Sequence, residues 1–334
     1  MNPAVRARLA SWYARADAWP GADAALRRSP LQAYLRRRSA DRLAVLGYHG
    51  IDDAEGFAAQ MDHLQAHAFP VSLRQVEDAV HNGRRLPPYS VLVTFDDGDV
   101  SVATEGLPLL AARGIPAVCF VVAGLIGTDT PFWWDEAEYL ARHGGRSRRL
   151  PEVAPEIVPH PMKLLTENER RSVLEELRET ATAQAPRRPQ LTPEQLVQLR
   201  DGGVEIGSHT LTHPCLDRCD DRQVEEEILG AHDRLAGLLG SAPTSFAYPN
   251  GNTDARAHRL LDKCGYRTAF LYNHSLARPG SCSPLGIDRL VVTPAAGPDR
   301  FATVLSGLHP AVFRVGRTVA RSAARAVQPF ARSS

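Results

Sequence analysis

The sequence predicts an α/β fold in which a mostly parallel sheet closes into one barrel. Short apolar runs typical of strands alternate with helical patterns, and seven such runs fall within about 250 residues. Hydrophobic residues make up 43% of the 334-residue chain and charged residues 23%, which is ordinary for a folded soluble protein. This composition excludes a mostly disordered chain, a collagen-like repeat and a bundle of membrane-spanning helices.

The predicted strands are rich in β-branched and aromatic residues and cover 43–48, 91–95, 117–122, 204–208, 244–248, 267–272 and 287–292. Apolar residues at helical spacing predict helices over 57–68, 102–113, 167–183, 193–200, 221–239 and 254–264. Thr192 and Pro193 mark the start of the fourth helix, as an N-cap and a proline at the first helical position. Strands in this alternation fit one barrel better than two domains.

The barrel is predicted to occupy residues 42–310, between two basic segments. The segment from about residue 129 to 190 is rich in proline and arginine, so it is predicted to be an insertion and not a further barrel unit. Residues 1–41 form a basic N-terminal extension, and the tail over 311–334 has five arginines and no acid. Apolar residues alternate with these arginines as in an amphipathic helix, so the tail is predicted either to contact an anionic membrane surface or to be a solvated terminus.

Charge and cysteine usage bear on partners and location. The formal net charge of +1 at pH 7 gives no reason to expect a nucleic-acid partner. Charged residues interrupt the first 20 positions, so no signal peptide is predicted, and the five cysteines are scattered and odd in number. These features favour a cytoplasmic location, with peripheral contact at the inner face of the membrane as a hypothesis. The sequence does not indicate an oligomeric state.

Chemically useful side chains follow four of the predicted strands. Asp96 and Asp97 end the strand over 91–95, and adjacent residues of an extended chain point to opposite sides, so they would do different jobs. His209 and His213 follow the strand over 204–208 and would fit one metal ion if the segment turned helically. His49 follows the first strand and could act as a general acid. The alternatives are an Asp-Asp-Gly turn, two surface histidines and a packing histidine.

The other candidates are a turn and a pair of aromatic residues. Pro249-Asn250-Gly251 would present backbone N–H groups that stabilise an oxyanion, unless it is only a turn. Trp133 and Trp134 would either stack on sugar rings or anchor the insertion. In a barrel, all these strand ends meet on one rim, where a base, metal ligands, an acid and an oxyanion donor form a complete hydrolytic set.

Two segments carry a resemblance to a known family. Thr94-Phe-Asp-Asp-Gly98 and His209-Thr-Leu-Thr-His213-Pro214 resemble the first two motifs of the polysaccharide deacetylases, the NodB-homology family. The resemblance covers roughly residues 42–300. It implies a distorted (β/α)7 barrel and metal-dependent removal of N- or O-acetyl groups from sugars. By position it implies that Asp96 is the general base and that Asp97, His209 and His213 hold a divalent metal, zinc or another first-row ion.

The sequence departs from the family pattern in its third motif and in the position of its acid histidine. Ala247-Tyr-Pro-Asn-Gly251 resembles the third motif but lacks its arginine and its tyrosine, so the arginine that orients the base is missing or comes from elsewhere. Tyr248 and Asn250 of this segment are the candidates for substrate and oxyanion binding. Leu46-Gly-Tyr-His-Gly-Ile51 resembles the permuted branch that includes the poly-N-acetylglucosamine deacetylases, which makes His49 the acid. His309 is the alternative acid.

Three further residues or pairs follow from the same comparison. Asp99 replaces the aromatic residue that commonly follows Asp-Asp-Gly, and Asp288 and Arg289 are candidate supports for the rim. Cys215 and Cys219 suggest zinc ligation together with the two histidines, although the carboxylate and the histidines already complete a site.

The predicted function is removal of acetyl groups, mainly N-acetyl, from a glycan or lipid-linked sugar during polysaccharide synthesis. A deformylase or another amide hydrolase on the same barrel is one alternative, because the sequence does not reveal the pocket for the acyl group. A non-catalytic glycan-binding protein is the other, because the third motif is altered.

Overall fold

The computed structural model describes residues 20–314, which form a parallel sheet connected by helices. Its strands are β1 (Ala44–Tyr48), β2 (Phe69–Pro70), β3 (Ser90–Phe95), β4 (Ala117–Val121), β5 (Val204–Ser208), β6 (Ser245–Ala247), β7 (Thr268–Phe270) and β8 (Leu290–Val291). All seven predicted strands are confirmed. The additional strand, β2, has two residues, which is too short for a periodic signal in the sequence.

The strands lie in the order β7-β6-β5-β4-β3-β1-β8, and all pairings between them are parallel, while β2 pairs with β3. The two ends of the sheet meet at residues 287–291. Leu290 of β8 pairs with Leu46 of β1, and Ile287 forms a parallel bridge with Phe270 of β7. This segment closes the sheet into a distorted barrel, as the sequence predicts.

The helices, most of which connect successive strands, are α1 (Pro20–Arg28), α2 (Pro30–Arg38), α3 (Ala54–His67), α4 (Leu73–Asn82), α5 (Leu107–Ala111), α6 (Trp133–Arg142), α7 (Pro159–Met162), α8 (Glu167–Thr180), α9 (Pro193–Asp201), α10 (Asp221–Leu239), α11 (Ala255–Lys263) and α12 (Pro298–Leu305). The predicted helix over 102–113 is divided into a π-helical turn (Val102–Gly106) and α5. Pro108 lacks the N–H that an unbroken helix would use there.

Consecutive strand residues pack into two different apolar clusters. Leu46 and Val93 belong to one, whereas Val45 and Leu92 belong to the other, and all four are fully buried. Burial on both faces is typical of parallel sheets, and it explains why the strands are continuously apolar in the sequence.

The region predicted as an insertion contains α6, α7 and α8, whose apolar side chains form a separate cluster around Trp133, Leu140 and Val173. At the other end of the chain, α1 packs against α12, and Arg300 pairs with Asp23 at 2.8 Å. The division into extension, barrel and tail stays a prediction, and most of the tail lies outside the described residues. Within residues 20–314, no helix combines the length and apolar character that crossing a bilayer requires.

Candidate active site

Two buried carboxylates lie where β3 ends. The backbone N–H of Asp96 continues the sheet by donating to the carbonyl oxygen of Tyr48 at 2.9 Å. Asp97 then adopts a left-handed backbone with φ of 69°, which is uncommon outside glycine. Their exposed fractions are 3% and 8%. The carboxylates therefore have different partners because the backbone changes direction between them, and not through the alternation of an extended chain that the sequence predicts.

Asp96 forms a bidentate ion pair with Arg289, a fully buried arginine between Ile287 and β8. Nη1 and Nη2 of Arg289 each donate to one carboxylate oxygen of Asp96 at 2.6 Å. Arg289 is also fixed by the carbonyl oxygen of Leu271 at 2.9 Å and the Thr94 hydroxyl at 3.1 Å. The arginine absent from the third motif is therefore replaced by one from the last strand, which the sequence suggested only as a support for the rim.

The two carboxyls have opposite pKa shifts. Burial acts to raise the pKa of Asp96, but the charge and hydrogen bonds of Arg289 outweigh it, and the pKa is lowered. Burial raises the pKa of Asp97 against the opposing charges of His49 and His209. Arg289 therefore favours the ionised form of Asp96, whereas burial disfavours the ionised form of Asp97.

The two histidines are held by the loop that follows β5. Nδ1 of His209 donates to the carbonyl oxygen of Ala247 at 2.7 Å, which leaves Nε2 as the free lone pair. The sequence predicts that both histidines reach one metal ion if this segment turns helically, but the loop is not a helical turn. Thr210 and His213 instead have left-handed backbones with φ of 69° and 62°, and these bends return His213 toward His209.

Asp97, His209 and His213 form a buried cluster whose ligand atoms lie within 4.8 Å of one another. Oδ1 of Asp97 is 3.5 Å from Nε2 of His209 and 3.4 Å from Nε2 of His213, and it is buried without a hydrogen-bond partner among the described residues. Two ligand atoms each about 2.1 Å from a tetrahedral ion lie roughly 3.4 Å apart. The donor set and its spacing therefore fit a divalent metal ion.

A buried glutamate of α10 supports this loop. Glu227 accepts hydrogen bonds from the backbone N–H groups of Leu211 and Thr212 at 2.9 and 2.8 Å, and from the Thr212 hydroxyl at 2.5 Å. Nothing in the sequence distinguished Glu227 from the other acids of α10, because its partners lie 15 and 16 residues away in the chain.

We expect Glu227→Ala to lower the affinity for zinc by roughly 10–100-fold, because the loop that orients His213 loses its acceptor. The free energy of unfolding should fall by about 1–3 kcal/mol, since two backbone donors lose their partner. Competition with a chromophoric chelator and thermal unfolding measure the two effects. Glu226→Ala is the matched control, because Glu226 is exposed and pairs only with Arg222 among the described residues. Equal zinc affinity in the two variants would contradict the role of Glu227.

A cavity of about 540 Å³ opens beside the cluster. Its lining includes His49 and Asp97, together with Asp99, Trp134 and Arg188. His49 is exposed and follows β1, whose neighbour β3 carries the carboxylates. The cavity therefore brings the predicted acid and a predicted metal ligand together, as the shared rim of a barrel requires.

The aromatic pair has two different environments. Trp134 lines the cavity, with its ring 4.6 Å from that of His213 and stacked on Phe132 at 4.8 Å. Trp133 is 8% exposed, donates its indole N–H to the carbonyl oxygen of His213 at 3.2 Å and lies under the guanidinium of Arg170. Of the two alternatives for Trp133, stacking on a sugar ring and anchoring the insertion, its burial and its contacts support anchoring.

Tyr248 is also a packing residue, which corrects its prediction as a substrate-binding group. The side chain is fully buried, and its hydroxyl donates to the carbonyl oxygen of Leu285 at 3.1 Å. Asn250 has a left-handed backbone with φ of 55° and donates from its side chain to Sγ of Cys215 at 3.2 Å. Among the described residues, Asn250 does not line the cavity. Its role in oxyanion binding stays a prediction.

His309 is placed elsewhere, within hydrogen-bonding distance of His274 at 2.8 Å. Among the described residues it does not line the cavity that contains His49. The two cysteines are not members of the cluster formed by Asp97 and the histidines within residues 20–314. Burial raises the pKa of Cys219 to about 12, which favours the neutral thiol.

Comparison with solved structures finds the same fold in several deacetylases. The deacetylase PplD of Streptococcus pyogenes, in complex with acetate, superposes with a TM-score of 0.56 and 17% identity over 79% of this chain and 98% of that one. IcaB from Ammonifex degensii gives a TM-score of 0.54 and 22% identity over 80% and 96%. The deacetylase domain of BpsB from Bordetella bronchiseptica gives 0.53 and 19% over 76% and 97%. These likenesses confirm the predicted fold.

At the sequence level, the poly-β-1,6-N-acetyl-D-glucosamine N-deacetylase of Escherichia coli K12 is 42% identical over 62 residues. That match spans 19% of this chain and 9% of the relative's length. The model of the polysaccharide deacetylase family matches residues 83–269, more than half of the chain and a range that includes Asp96, Asp97 and both histidines of the cluster. The resemblance inferred from the two motifs is confirmed, and the chain belongs to the polysaccharide deacetylase family.

Proposed function

We propose that this chain hydrolyses N-acetyl groups on an N-acetylglucosamine-containing glycan and that it requires a divalent metal ion, most simply zinc. The proposal is carried by three features that lie close together. They are the Asp97–His209–His213 cluster, the carboxylate of Asp96 paired with Arg289, and His49 in the wall of the cavity. The Escherichia coli relative, a poly-β-1,6-N-acetyl-D-glucosamine N-deacetylase, supports this substrate class. The acetate bound in the PplD complex supports acetyl as the group that is removed.

The chain's own residues divide the proton transfers between them. Asp96 accepts a proton from the attacking water as the water oxygen adds to the amide carbonyl carbon. His49 donates a proton to the amide nitrogen as the C–N bond breaks, so the products are acetate and a free amine. Asp97, His209 and His213 would hold the divalent ion, which when bound would supply Lewis-acid stabilisation of the negative charge that develops on the carbonyl oxygen. Arg289 keeps Asp96 ionised and fixes its direction.

An activity screen tests the proposal. The zinc-loaded protein is incubated with N-acetylglucosamine oligomers, and both free amine and acetate are measured. We expect equal amounts of both products, dependent on the metal and on chain length. Matched N-formyl oligomers separate a deacetylase from a deformylase. Binding of the oligomers without any product would contradict the proposal and favour a glycan-binding protein.

Trp134 is the residue that we expect to contact the sugar ring. Trp134→Ala should raise KM several-fold while changing kcat less, because a stacking contact worth about 0.5–1.5 kcal/mol is lost from substrate and transition state alike. Trp134→Phe keeps an aromatic face and should retain most of the affinity. Steady-state kinetics on one oligomer length give both constants. An unchanged KM in Trp134→Ala would show that the ring does not contact substrate.

A further inference from the structure

A second concave surface lies at the opposite end of the barrel from the cavity just described. It has a volume of about 470 Å³, and its lining includes Arg38, Arg42 and Arg278, which we call the basic pocket. The bridge between Leu43 and Ala277 explains why two of them are adjacent, because Arg42 precedes Leu43 and Arg278 follows Ala277. Arg38 ends α2 and completes the pocket.

The three guanidinium groups are not neutralised by ion pairs within residues 20–314. Within residues 20–314, none of their side chains forms a hydrogen bond or an ion pair with the protein, and Asp41, which also lines the pocket, is not paired with them. The pKa of Arg42 is lowered, first by burial and then by the positive charges of Arg278, Arg38 and Arg314. Three converging, mutually repelling cations favour an anionic ligand.

Exposed apolar side chains lie on the same stripe of α2 as Arg38. Leu31 is 49% exposed and Tyr34 is 57% exposed. These positions precede Arg38 by seven and four residues, a spacing that places all three on one face of a helix. Arginines beside an exposed leucine and a tyrosine match a lipid interface, where the headgroups are anionic and the layer beneath is apolar.

We propose that the basic pocket docks this protein on a bilayer containing anionic phospholipid by binding headgroup phosphate, with Leu31 and Tyr34 entering the interface. The pocket lies before β1 and His49 lies after it, a separation of about 20 Å at roughly 3.3 Å per strand residue. Docking at this end therefore leaves the catalytic cavity open on the side away from the lipid. The proposal is independent of the deacetylase activity.

Sedimentation of the full-length chain with vesicles tests the proposal. The vesicles contain either phosphatidylcholine alone or equal parts of phosphatidylcholine and phosphatidylglycerol. We expect binding only to the anionic vesicles and a decrease with salt. The Arg38→Gln/Arg42→Gln/Arg278→Gln variant should bind about a hundredfold more weakly, since each arginine near the surface contributes a factor of roughly five. The triple lysine variant should retain binding.

The matched control is Arg146→Gln/Arg148→Gln/Arg222→Gln, which removes the same charge from exposed positions in the insertion and at the start of α10. It should bind vesicles like the unaltered chain, and thermal unfolding verifies that both triple variants are folded. Failure of the unaltered chain to bind, or equal binding by the two glutamine variants, would overturn the proposal. Calorimetry with inorganic phosphate separates a soluble anion from a lipid headgroup as the ligand. Binding of phosphate at the pocket without binding to vesicles would identify a soluble anion and overturn lipid docking.

Discussion

Asp96→Asn is expected to abolish most acetate release while leaving the metal bound. The substitution keeps the shape of the side chain but removes the proton acceptor, and loss of a general base costs roughly 10²–10⁴-fold in rate. The metal should remain because Asp97, rather than Asp96, completes the cluster with the two histidines. Acetate release and zinc affinity, measured on the same preparation, separate the two carboxylates.

The control for this substitution is Asp62→Asn, at an exposed aspartate of α3 that pairs with Arg113. It makes the same change of carboxylate to amide outside the cavity, and its turnover should match that of the unaltered enzyme. Unchanged turnover in Asp96→Asn would refute the assignment of the base. Loss of zinc from Asp96→Asn would show instead that both aspartates bind the ion.

Arg289→Met is expected to reduce both stability and turnover. It leaves the Asp96 carboxylate, which is 3% exposed, without its cationic partner. Breaking a buried ion pair in this way costs about 3–5 kcal/mol, and Asp96 also loses the charge that lowers its pKa, so less of the base is ionised. Denaturant unfolding gives the stability, and kcat per folded molecule gives the catalytic effect.

The double variant Asp96→Asn/Arg289→Met distinguishes these two effects. Removing both charges eliminates the unpaired carboxylate, so stability should recover in part while activity stays absent. Arg300→Met is the control, because it breaks the ion pair with Asp23 on α1, outside the cavity. It should lower stability but leave kcat per folded molecule unchanged. A normal kcat in folded Arg289→Met would show that the arginine is purely structural.

The sequence predicts the barrel well because its strands are buried on both faces. Continuous apolar runs such as 91–95 and 117–122 stand out from the amphipathic helices between them. The carboxylates and histidines at the ends of these strands then converge because parallel strands place their carboxyl ends on one rim. Fold and metal cluster therefore follow from local patterns.

The parts that the sequence does not reveal depend on contacts between distant residues. Arg289 meets Asp96 across 193 positions, and no local pattern distinguishes a buried arginine from the many exposed ones in this chain. The same holds for Glu227 beneath the histidine loop. Tyr248 was assigned to substrate binding and Trp133 was left with two alternatives, because an aromatic residue beside a motif can be buried or exposed and only tertiary packing decides which.

The most direct test of the account is to measure metal binding and amine release together in the unaltered chain and in Asp97→Asn. The metal-free protein is titrated with zinc against a competing chelator, and each sample is then assayed on N-acetylglucosamine oligomers. The account predicts one tightly bound ion per chain, amine release that rises with its occupancy, and loss of both in the variant. Amine release by the metal-free chain, or equal zinc affinity in Asp97→Asn, would contradict it.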